Sequence, residues 1–516
     1  MAKDVLIGID IGSSNVKTVV FNKAFDILAS ETQEYETIIP QPGWSEYRPD
    51  EWWDCVKTTL GRALKQGDVN PDRIAGIGLS SLGCCPVPMD ETGAVAYNGI
   101  PWSDQRAQDE VQFLTDNCKE MIFAKCKNAP TTLNATTHLM WIKNHCPDVY
   151  RKIHKYTEPS GFLGQRFTGQ YTMDYGFASS LDFGFDTETL DWDDDLIGAM
   201  GLDKAIFPKL HPNNEPLGAV TAQAAAETGV PEGVPVFAGG ADLLAAALAA
   251  GAIHAGQGFY SMGSGANMMA ITDNQEIASP HLISFFHPIG PQLRILDGVQ
   301  GSIGYSLRWF RDQLGRDLQA AAELSTDVDA FELLTQEGMK SKPGSGGVIY
   351  LPHLFGKFHP ALNPAAKGVF FGISPGTTQA DLIRAVMEGC AYAAYQSLKN
   401  ILDLGVTVDE IIVTGGPSKS PLWCQIMADV FGRKLVTINA PEASPFGNAI
   451  LAGVGVGMFS SFDEVAQRAD HVDRAYEPNV SLAPMYMEMF GLYEQTYQSL
   501  LPSFDELARI QSKHGL

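Results

Sequence analysis

Residues 5–22 read VLIGIDIGSSNVKTVVFN, and this stretch decides the predicted fold. Apolar runs on both sides of a Gly/Ser turn predict a β-hairpin whose turn amides are exposed to a ligand. Asp10 lies at the end of the first strand, and Lys17 lies on the returning strand. A carboxylate for a hydrated metal ion, exposed amides for phosphate oxygens and a nearby cation are what phosphoryl transfer requires. An ordinary hairpin turn explains the same residues, so this stretch alone does not decide the function.

A second hairpin of the same design is predicted at residues 258–272, GFYSMGSGANMMAIT. Strand and helix patterns alternate along the rest of the chain, which predicts an α/β fold. Two such hairpins favour two similar domains. We expect these domains to cover residues 1–252 and 253–516, the second with a helical C-terminal tail. Asp50 is the expected N-cap of an early helix, and Gly405 is the expected end of a long amphipathic helix that begins near residue 381.

The composition limits the classes of partner. The 516 residues include 36 basic and 60 acidic side chains, a formal net charge of −24. This charge repels phosphate backbones and anionic lipids, so neither nucleic acid nor a membrane is an expected partner, although backbone amides can still bind a nucleotide locally. The chain begins without a signal-peptide pattern, and its most apolar later stretch, residues 237–253, is too short to span a bilayer. We therefore expect a cytoplasmic protein whose eight cysteines are reduced and mostly buried.

Two further stretches combine small residues with chemistry. In VPVFAGGAD, residues 234–242, Asp242 stands between an apolar strand and an Ala-rich helix. A carboxylate there either caps the helix or accepts the proton of a substrate hydroxyl as a general base, and both roles fit the local sequence. Residues 414–420, TGGPSKS, join a strand to a helix, where a nucleotide can approach the backbone closely. No GxxxxGK[ST] motif occurs, so the chain is not a P-loop enzyme.

The order of these stretches resembles that of the FGGY carbohydrate kinases, and within them it looks most like the xylulose kinases. Residues 368–389, GVFFGISPGTTQADLIRAVMEG, fit the C-terminal signature of that family. The other matching stretches are GWSEYRPDEWW (43–53), VPVFAGGAD (234–242), SMGSG (261–265) and GGPSKSPLWCQIMAD (415–429). The resemblance extends from Asp4 to Phe459. It implies two ribonuclease-H-like domains of the actin and hexokinase superfamily around a central cleft, with ATP and Mg²⁺ as the expected cofactors.

The resemblance also implies roles for single residues. Asp242 matches the catalytic base and a substrate contact, and Asp10 matches the acidic residue near the metal ion. The implied nucleotide contacts are Ser13, Ser14, Lys17, Ser264, Gly304, Gly416, Ser420 and Asn448. In PWSDQRA, residues 101–107, Trp102 and Asp104 match the substrate strand. FGGY kinases are often dimers, so the resemblance implies a homodimer as well.

The predicted sugar pocket departs from the family pattern. Xylulose kinases have a Met-His pair, and glycerol kinases an Arg-Glu pair, where this chain has Gly83 and Cys84. Leu243 follows the predicted base where families with polar substrates place Asn or Gln. The loop usually written Gly-Glu-Arg-x-Pro reads GKFHP at residues 356–360. We therefore expect Asp104 to carry much of the remaining recognition of the sugar.

The favoured hypothesis is ATP-dependent phosphorylation of a small sugar or polyol, with a pentulose such as xylulose first. Another ketose, a polyol or a sugar acid is the alternative acceptor. A nucleotide-gated chaperone or filament subunit shares the hairpins but lacks the substrate strand and the FGGY signature. A degenerate kinase that only senses a sugar is opposed by the retained Asp10 and Asp242, whereas the altered pocket keeps that hypothesis open.

Overall fold

The computed structural model describes residues 3–324, 328–438, 442–468 and 472–515. The chain divides into two compact units, each assembled from three separate segments. Unit 1 comprises Met1–Ile253, Asp273–Ile295 and Ala440–Asp470, whereas unit 2 comprises His254–Thr272, Leu296–Asn439 and His471–Leu516. The expected domains, residues 1–252 and 253–516, remain a proposal about how the chain is organised.

Strands occur along the whole of the described chain. The strands are β1 (Val5–Ile11), β2 (Asn15–Asn22), β3 (Ile27–Glu34), β4 (Ile74–Ser81), β5 (Val87–Met89), β6 (Lys155–Thr157), β7 (Thr172–Asp174), β8 (Phe185–Asp186), β9 (Asp191–Trp192), β10 (Lys209–His211), β11 (Gly218–Ala219), β12 (Pro235–Ala241), β13 (Gln257–Met262), β14 (Ala266–Thr272), β15 (Ile283–His287), β16 (Gly290–Gln300), β17 (Ile349–Leu351), β18 (Val369–Phe371), β19 (Glu410–Gly415), β20 (Lys434–Ile438) and β21 (Val472–Tyr476).

Helices alternate with these strands. The α-helices are α1 (Pro49–Gln66), α2 (Gln108–Asn117), α3 (Lys119–Cys126), α4 (Ala135–His145), α5 (Pro147–Tyr150), α6 (Pro159–Thr168), α7 (Tyr175–Leu181), α8 (Asp194–Ala199), α9 (Ala222–Thr228), α10 (Asp242–Ala249), α11 (Ile303–Gln313), α12 (Arg316–Glu323), α13 (Ala330–Gly338), α14 (Gln379–Asp403), α15 (Pro421–Phe431), α16 (Ala443–Gly455), α17 (Phe462–Arg468) and α18 (Ala483–His514). None of the helices in the described ranges combines the length and apolar character that crossing a membrane requires.

The sheet of unit 1 has the strand order β11-β12-β4-β1-β2-β3. The predicted hairpin β1–β2 is antiparallel, whereas β4 lies parallel to β1 on one side and to β12 on the other. β1 and β4 consist almost entirely of buried residues, as expected for central strands covered on both faces. Because β1, β4 and β12 are parallel, their carboxyl ends meet at one edge of the sheet.

Helix α16 covers one face of this sheet at very short range. A Cβ atom on Gly8 would lie 1.9 Å from the carbonyl oxygen of Pro445, and one on Gly78 would lie 2.1 Å from that of Asn448. A Cβ on Gly447 would lie 1.9 Å from the carbonyl oxygen of Ala245 in α10. Only glycine permits these approaches, so the backbone of α16 is pressed against β1, β4 and α10.

Unit 2 repeats the plan of unit 1. The hairpin β13–β14 is antiparallel, β19 lies parallel to β13, and β20 lies parallel to β19. The long helix α14 begins with a capping box formed by Thr378 and Asp381. It ends before Gly405, whose φ is +83°. The predicted α/β chain with two similarly built hairpin domains is confirmed.

Two other expectations have different outcomes. Asp50 is not the N-cap of α1, because the helix begins at Pro49 with Arg48 as its cap, and Asp50 lies in the first turn. Proline is favoured at the first helical position, and the helix starts two residues earlier than predicted. All eight cysteines are free thiols, and all except Cys146 are buried. Their predicted reduced and mostly buried state is therefore confirmed.

Candidate active site

The turn of the first hairpin has its carbonyl groups occupied. The hydroxyl of Tyr35 donates to the oxygen of Gly12, and the hydroxyl of Tyr47 donates to the oxygen of Ser13 at 2.9 Å. The amide of Tyr35 donates to the oxygen of Ser14 at 3.1 Å. The amides of Ser13 and Ser14 donate to no other group in the described part of the chain, and both residues are exposed. Fixed carbonyls and free amides make this turn suited to an anion.

Asp10 stands beside this turn at the carboxyl end of β1. Its neighbours across the sheet are Lys17 on β2 and Ser80 on β4. The hydroxyl of Ser80 donates to Oδ1 of Asp10 at 2.6 Å. Within the described residues, no hydrogen bond reaches Oδ2, so this oxygen is available to a ligand.

Asp242 is the first residue of α10, directly after β12. Its Oδ1 accepts a hydrogen bond from the amide of Leu243 at 2.7 Å, and Ala241 rather than Asp242 holds the N-cap position. The hydroxyl of Ser444 donates to the backbone oxygen of Asp242 at 3.1 Å. The carboxylate is half-buried and therefore still accessible to a ligand.

Asp10 and Asp242 influence each other's ionisation. Burial and, next to it, the negative charge of Asp10 raise the pKa of Asp242 to about 7, against the lowering effect of the Leu243 amide. Burial also raises the pKa of Asp10 to about 6, while Ser80 and Lys17 oppose the rise and Glu442 adds to it. Two carboxylates with raised pKa values at one sheet edge are typical of a site that moves a proton.

Lys17 is paired with a residue that the sequence did not bring forward. Its Nζ lies 2.6 Å from Oε2 of Glu442, and both side chains are partly exposed. Glu442 precedes α16 and is separated from Lys17 by more than 400 residues. The sheet register and the docking of α16 therefore create this ion pair.

Asn448 has a different place from the one that the resemblance implies. Its side chain is completely buried, and its amide group donates to the oxygen of Ile9 and to the hydroxyl of Ser80, at 2.9 and 2.7 Å. In the described structure this amide group is engaged behind β1, and the predicted nucleotide contact of Asn448 remains a prediction. These contacts favour a positioning role for Asn448, because they hold the strand and the hydroxyl that carry Asp10.

The segment after β4 contains the residues that replace the polar pair of the relatives. Gly83 is partly exposed, whereas Cys84 is completely buried. The neighbouring amide of Cys85 donates to Oε2 of Glu158 at 2.7 Å, and Oε1 of Glu158 has no hydrogen-bond partner. Burial, together with the charge of Asp182, raises the pKa of Glu158 to about 8. Cys84 thus belongs to a buried polar cluster rather than to an open surface.

Trp102 and Asp104 differ sharply in exposure. The side chain of Trp102 is 42% exposed, whereas that of Asp104 is completely buried. Both oxygens of Asp104 are occupied, because Ser45 donates a backbone hydrogen bond and Arg106 donates three, at 2.7–2.9 Å. Glu46 shares the Arg106 guanidinium at 2.8 Å. Trp102 is therefore the accessible member of the predicted substrate strand, and Asp104 holds Arg106.

The second hairpin, in unit 2, is built like the first. The amide of Gly304 donates to the oxygen of Gly263, and the amide of Tyr305 donates to the oxygen of Ser264, both at 3.1 Å. A Cβ on Gly304 would lie 2.2 Å from the oxygen of Gly263, so only glycine allows α11 to start this close to the turn. Ser264 is exposed, and its amide donates to no group in the described ranges.

Gly416 and Ser420 flank the turn between β19 and α15. Gly416 is exposed, and no atom lies within 4 Å of the position that a Cβ would take. Ser420 is the N-cap of α15: its Oγ accepts from the amide of Trp423 at 3.3 Å and pairs with the hydroxyl of Thr335 at 2.9 Å. Gly416 is therefore open to a ligand, whereas the hydroxyl of Ser420 is already engaged.

The described side chains contain no group of three or more His, Cys, Asp or Glu residues that would enclose a metal ion. Mg²⁺ usually keeps several waters and needs only one or two carboxylates together with substrate phosphates. Asp10, with its half-buried carboxylate and available Oδ2, fits that requirement. The residues present are thus compatible with a metal ion that arrives with a nucleotide.

Sequence reasoning missed several residues of this site. Tyr35 and Tyr47 hold the first turn, Ser80 holds Asp10, and Glu442 pairs with Lys17. Their contacts depend on pairing between distant segments, for which a single sequence carries no local signal.

Comparison with known proteins identifies the family of this chain. The model of the FGGY family of carbohydrate kinases, N-terminal domain, matches residues 5–249, and that of the C-terminal domain matches residues 258–456. A xylulose kinase of Staphylococcus xylosus is 27% identical over 494 residues, covering 95% of this chain and 99% of the relative. Glycerol kinase 2 of Sulfolobus acidocaldarius is 28% identical over 491 residues, covering 93% and 94%. The crystal structure of xylulose kinase from Rhodospirillum rubrum superposes with a TM-score of 0.88 at 28% identity, covering 97% of this chain and all of that one. The predicted family is confirmed, and the chain belongs to the FGGY family of carbohydrate kinases.

Proposed function

We propose that this chain transfers the γ-phosphate of ATP to a primary hydroxyl of a pentulose, with D-xylulose the first candidate. Membership of the FGGY family supports ATP-dependent phosphorylation of a sugar. The names of the xylulose kinases among its relatives support the pentulose. The observation that carries the proposal is the pairing of Asp10 with Asp242 beside a hairpin whose turn amides are free.

Asp242 is the proposed general base. Its raised pKa of about 7 lies close to neutral pH. A general base is most effective when its pKa is close to the pH at which the enzyme works. It would take the proton of the acceptor hydroxyl while the new oxygen–phosphorus bond forms and the bond between the β- and γ-phosphates breaks. The released ADP carries away the electron pair of the broken bond.

The remaining residues of the proposed site bind the nucleotide and the metal ion and orient them. We propose that the free amides and hydroxyls of Ser13 and Ser14 bind phosphate oxygens and that Lys17 balances their charge. Ser264, Gly304 and Gly416 are the proposed nucleotide contacts of unit 2. Asp10 is the proposed ligand of Mg²⁺, which would supply charge neutralisation at the phosphates when it is bound.

The sugar contacts are proposed from the open part of the substrate region. Gly83 and Trp102 are accessible, and Leu243 adds an apolar surface next to Asp242. Cys84 and Asp104 are buried, so we propose that they shape this region from behind. The acceptor is therefore held by fewer side-chain hydrogen bonds here than a Met-His or Arg-Glu pair would allow.

Replacing Asp242 by Asn tests the proposed base. We expect turnover to fall by a factor of about 10² or more, because general-base assistance typically contributes that much. The melting temperature and the affinity for ADP should remain close to those of the wild type. A variant that keeps more than about a tenth of the wild-type rate would leave Asp242 with only a structural role at the start of α10.

A panel of acceptors tests which substrate this chain phosphorylates. ADP release would be measured with D-xylulose, D-ribulose, a hexulose, a tetritol, glycerol and gluconate at equal concentrations. A clear preference for one pentulose supports the proposal. A preference for glycerol or gluconate would change the proposed acceptor but would leave the proposed kinase activity in place. Binding of a sugar without any ADP release would favour a sugar sensor.

A further inference from the structure

Glu442 pairs with Lys17 beside the proposed phosphate site, and no role has yet been assigned to it. Lys17 lies directly opposite Asp10 in the antiparallel register of β1 and β2. An ammonium at this position has the Asp10 carboxylate as its nearest partner within the sheet. Instead, its Nζ lies 2.6 Å from Oε2 of Glu442.

The carboxylate of Glu442 has Ser30 as a second partner besides Lys17, and its backbone leads into a closely packed helix. The hydroxyl of Ser30, on β3, donates to its Oε1 at 3.3 Å. The backbone of Glu442 has φ +59° and ψ +46°, the left-handed region that a residue with a Cβ rarely adopts. The next helix, α16, is fixed by the close approach of Pro445 to Gly8. Glu442 thus has both carboxylate oxygens engaged by described groups.

The ion pair has a consequence for Asp10. Lysine has a flexible stem with four rotatable carbons, so its ammonium goes to the best available carboxylate. While Lys17 is paired with Glu442, Oδ1 of Asp10 accepts the hydrogen bond from Ser80 and Oδ2 has no hydrogen-bond partner among the described residues. Without Glu442, Lys17 has one remaining carboxylate opposite it, and a lysine paired with Asp10 would compete with a divalent cation.

We propose that Glu442 is a positioning residue that draws Lys17 away from Asp10 and so keeps Asp10 free to bind a divalent cation. The inference rests on the proposed role of Asp10 as the metal ligand. It assigns to the segment before α16 a part in metal binding, although Glu442 itself need not touch the ion.

Binding of Mn²⁺ in the presence of ADP, with the protein in excess over ADP, tests this inference on the full chain without turnover, and the electron paramagnetic resonance signal of the free ion follows it. Asp10→Asn first defines the Asp10-dependent site, because it should abolish that component. Glu442→Gln should then weaken this component about 2- to 5-fold, as expected for a partly exposed charge pair. Glu410→Gln is the matched control, because Glu410 forms a similar partly exposed pair with Lys434 in unit 2. It should leave Mn²⁺ binding unchanged.

The decisive comparison uses Lys17→Met as the background. Without Lys17 there is no ammonium to turn toward Asp10, so adding Glu442→Gln should change Mn²⁺ affinity less than about 2-fold. An equal loss in both backgrounds would mean that Glu442 acts by its own charge, and the inference would be wrong. An unchanged affinity in Glu442→Gln alone would also overturn it.

Two controls separate this inference from other failures. If Asp10→Asn leaves Mn²⁺ binding intact, the proposed metal site itself fails, whatever Glu442 does. If Glu442→Gln unfolds, Glu442→Asp retains the charge and should bind Mn²⁺ more tightly than Glu442→Ala. Equal Mn²⁺ affinities of these two variants would count against the inference.

Discussion

Asp104 is a residue whose predicted role and observed contacts differ. Its match to the substrate strand predicts a sugar contact, yet its carboxylate is buried and holds Arg106 and the amide of Ser45. Breaking one partner of a buried charged pair is costly, because the other charge is left without compensation. We therefore regard Asp104 as a structural support of the segment that carries Trp102.

Asp104→Asn tests this assignment. We expect the free energy of unfolding to fall by about 3 kcal/mol, because Arg106 loses a charged partner inside the protein. Asp50→Asn is the control, since the exposed pair of Asp50 with Arg166 should contribute less than about 1 kcal/mol. Denaturant unfolding and the KM values for sugar and ATP would be measured together. Unchanged stability with a raised KM for the sugar alone would restore the predicted direct contact.

For single residues, the sequence predicted positions correctly where a local pattern determines the secondary structure. Asp10, Ser13 and Ser264 are placed by their hairpins, which a turn of small residues between apolar runs predicts. The ligand contacts of Asn448 and Asp104 remain predictions, because both side chains are buried by segments that their sequence neighbours do not reveal. Burial by distant segments is a tertiary property, so a motif match alone cannot separate a ligand contact from its support.

Helix α16 is the element on which the arrangement of Asp10 and Asp242 depends. It packs on β1 through Gly8 and on α10 through Gly447, and these two elements carry the two carboxylates. The sequence predicted a helix here, but it gave no sign that the helix belongs to the sheet of unit 1. The preceding Glu442 was missed for the same reason.

A pair of helical glycines tests how tightly α16 is packed. Gly447→Ala should lower the free energy of unfolding by more than about 2 kcal/mol, because the new methyl group would lie 1.9 Å from the oxygen of Ala245. Gly491→Ala in α18 should instead raise it by about 0.5–1 kcal/mol, since that site is open and alanine favours a helix. Thermal unfolding of both variants measures the contrast. Equal stabilisation by both substitutions would show that α16 is not held at close range.

The stability of the whole molecule should depend on buried carboxyl groups. Burial raises the pKa of Glu158 to about 8 and that of Asp182 to about 7. The folded protein therefore keeps protons that the unfolded chain has already released, over a window from about pH 4.5 to pH 8 for Glu158. In that window the free energy of unfolding falls as the pH rises, by up to about 1.4 kcal/mol per pH unit for each group.

Glu158→Gln measures how much Glu158 contributes to the pH dependence of the free energy of unfolding. Glutamine stays neutral at every pH, so the decline in unfolding free energy between pH 5 and pH 8 should become shallower than in the wild type. Glu91→Gln, at an exposed position, should leave the slope unchanged. Chemical unfolding at four or more pH values gives both slopes. Parallel curves for the wild type and Glu158→Gln would mean that Glu158 is ionised in the folded protein.

The late position of α16 in the sequence has a consequence for how a growing chain folds on the ribosome. Leu6, Phe21 and Phe237 are buried against Phe446 and Ile450, which belong to α16. At a synthesis rate of about 5–20 residues per second, roughly 10–40 s separate the completion of β12 from that of α16. During this interval the nascent sheet of unit 1 lacks the cover that α16 supplies, although Leu248 and Ala249 of α10 follow β12 directly. The last step in assembling the carboxylate pair is therefore timed by translation, and a nascent chain of this protein is a natural client for factors that shield apolar surfaces.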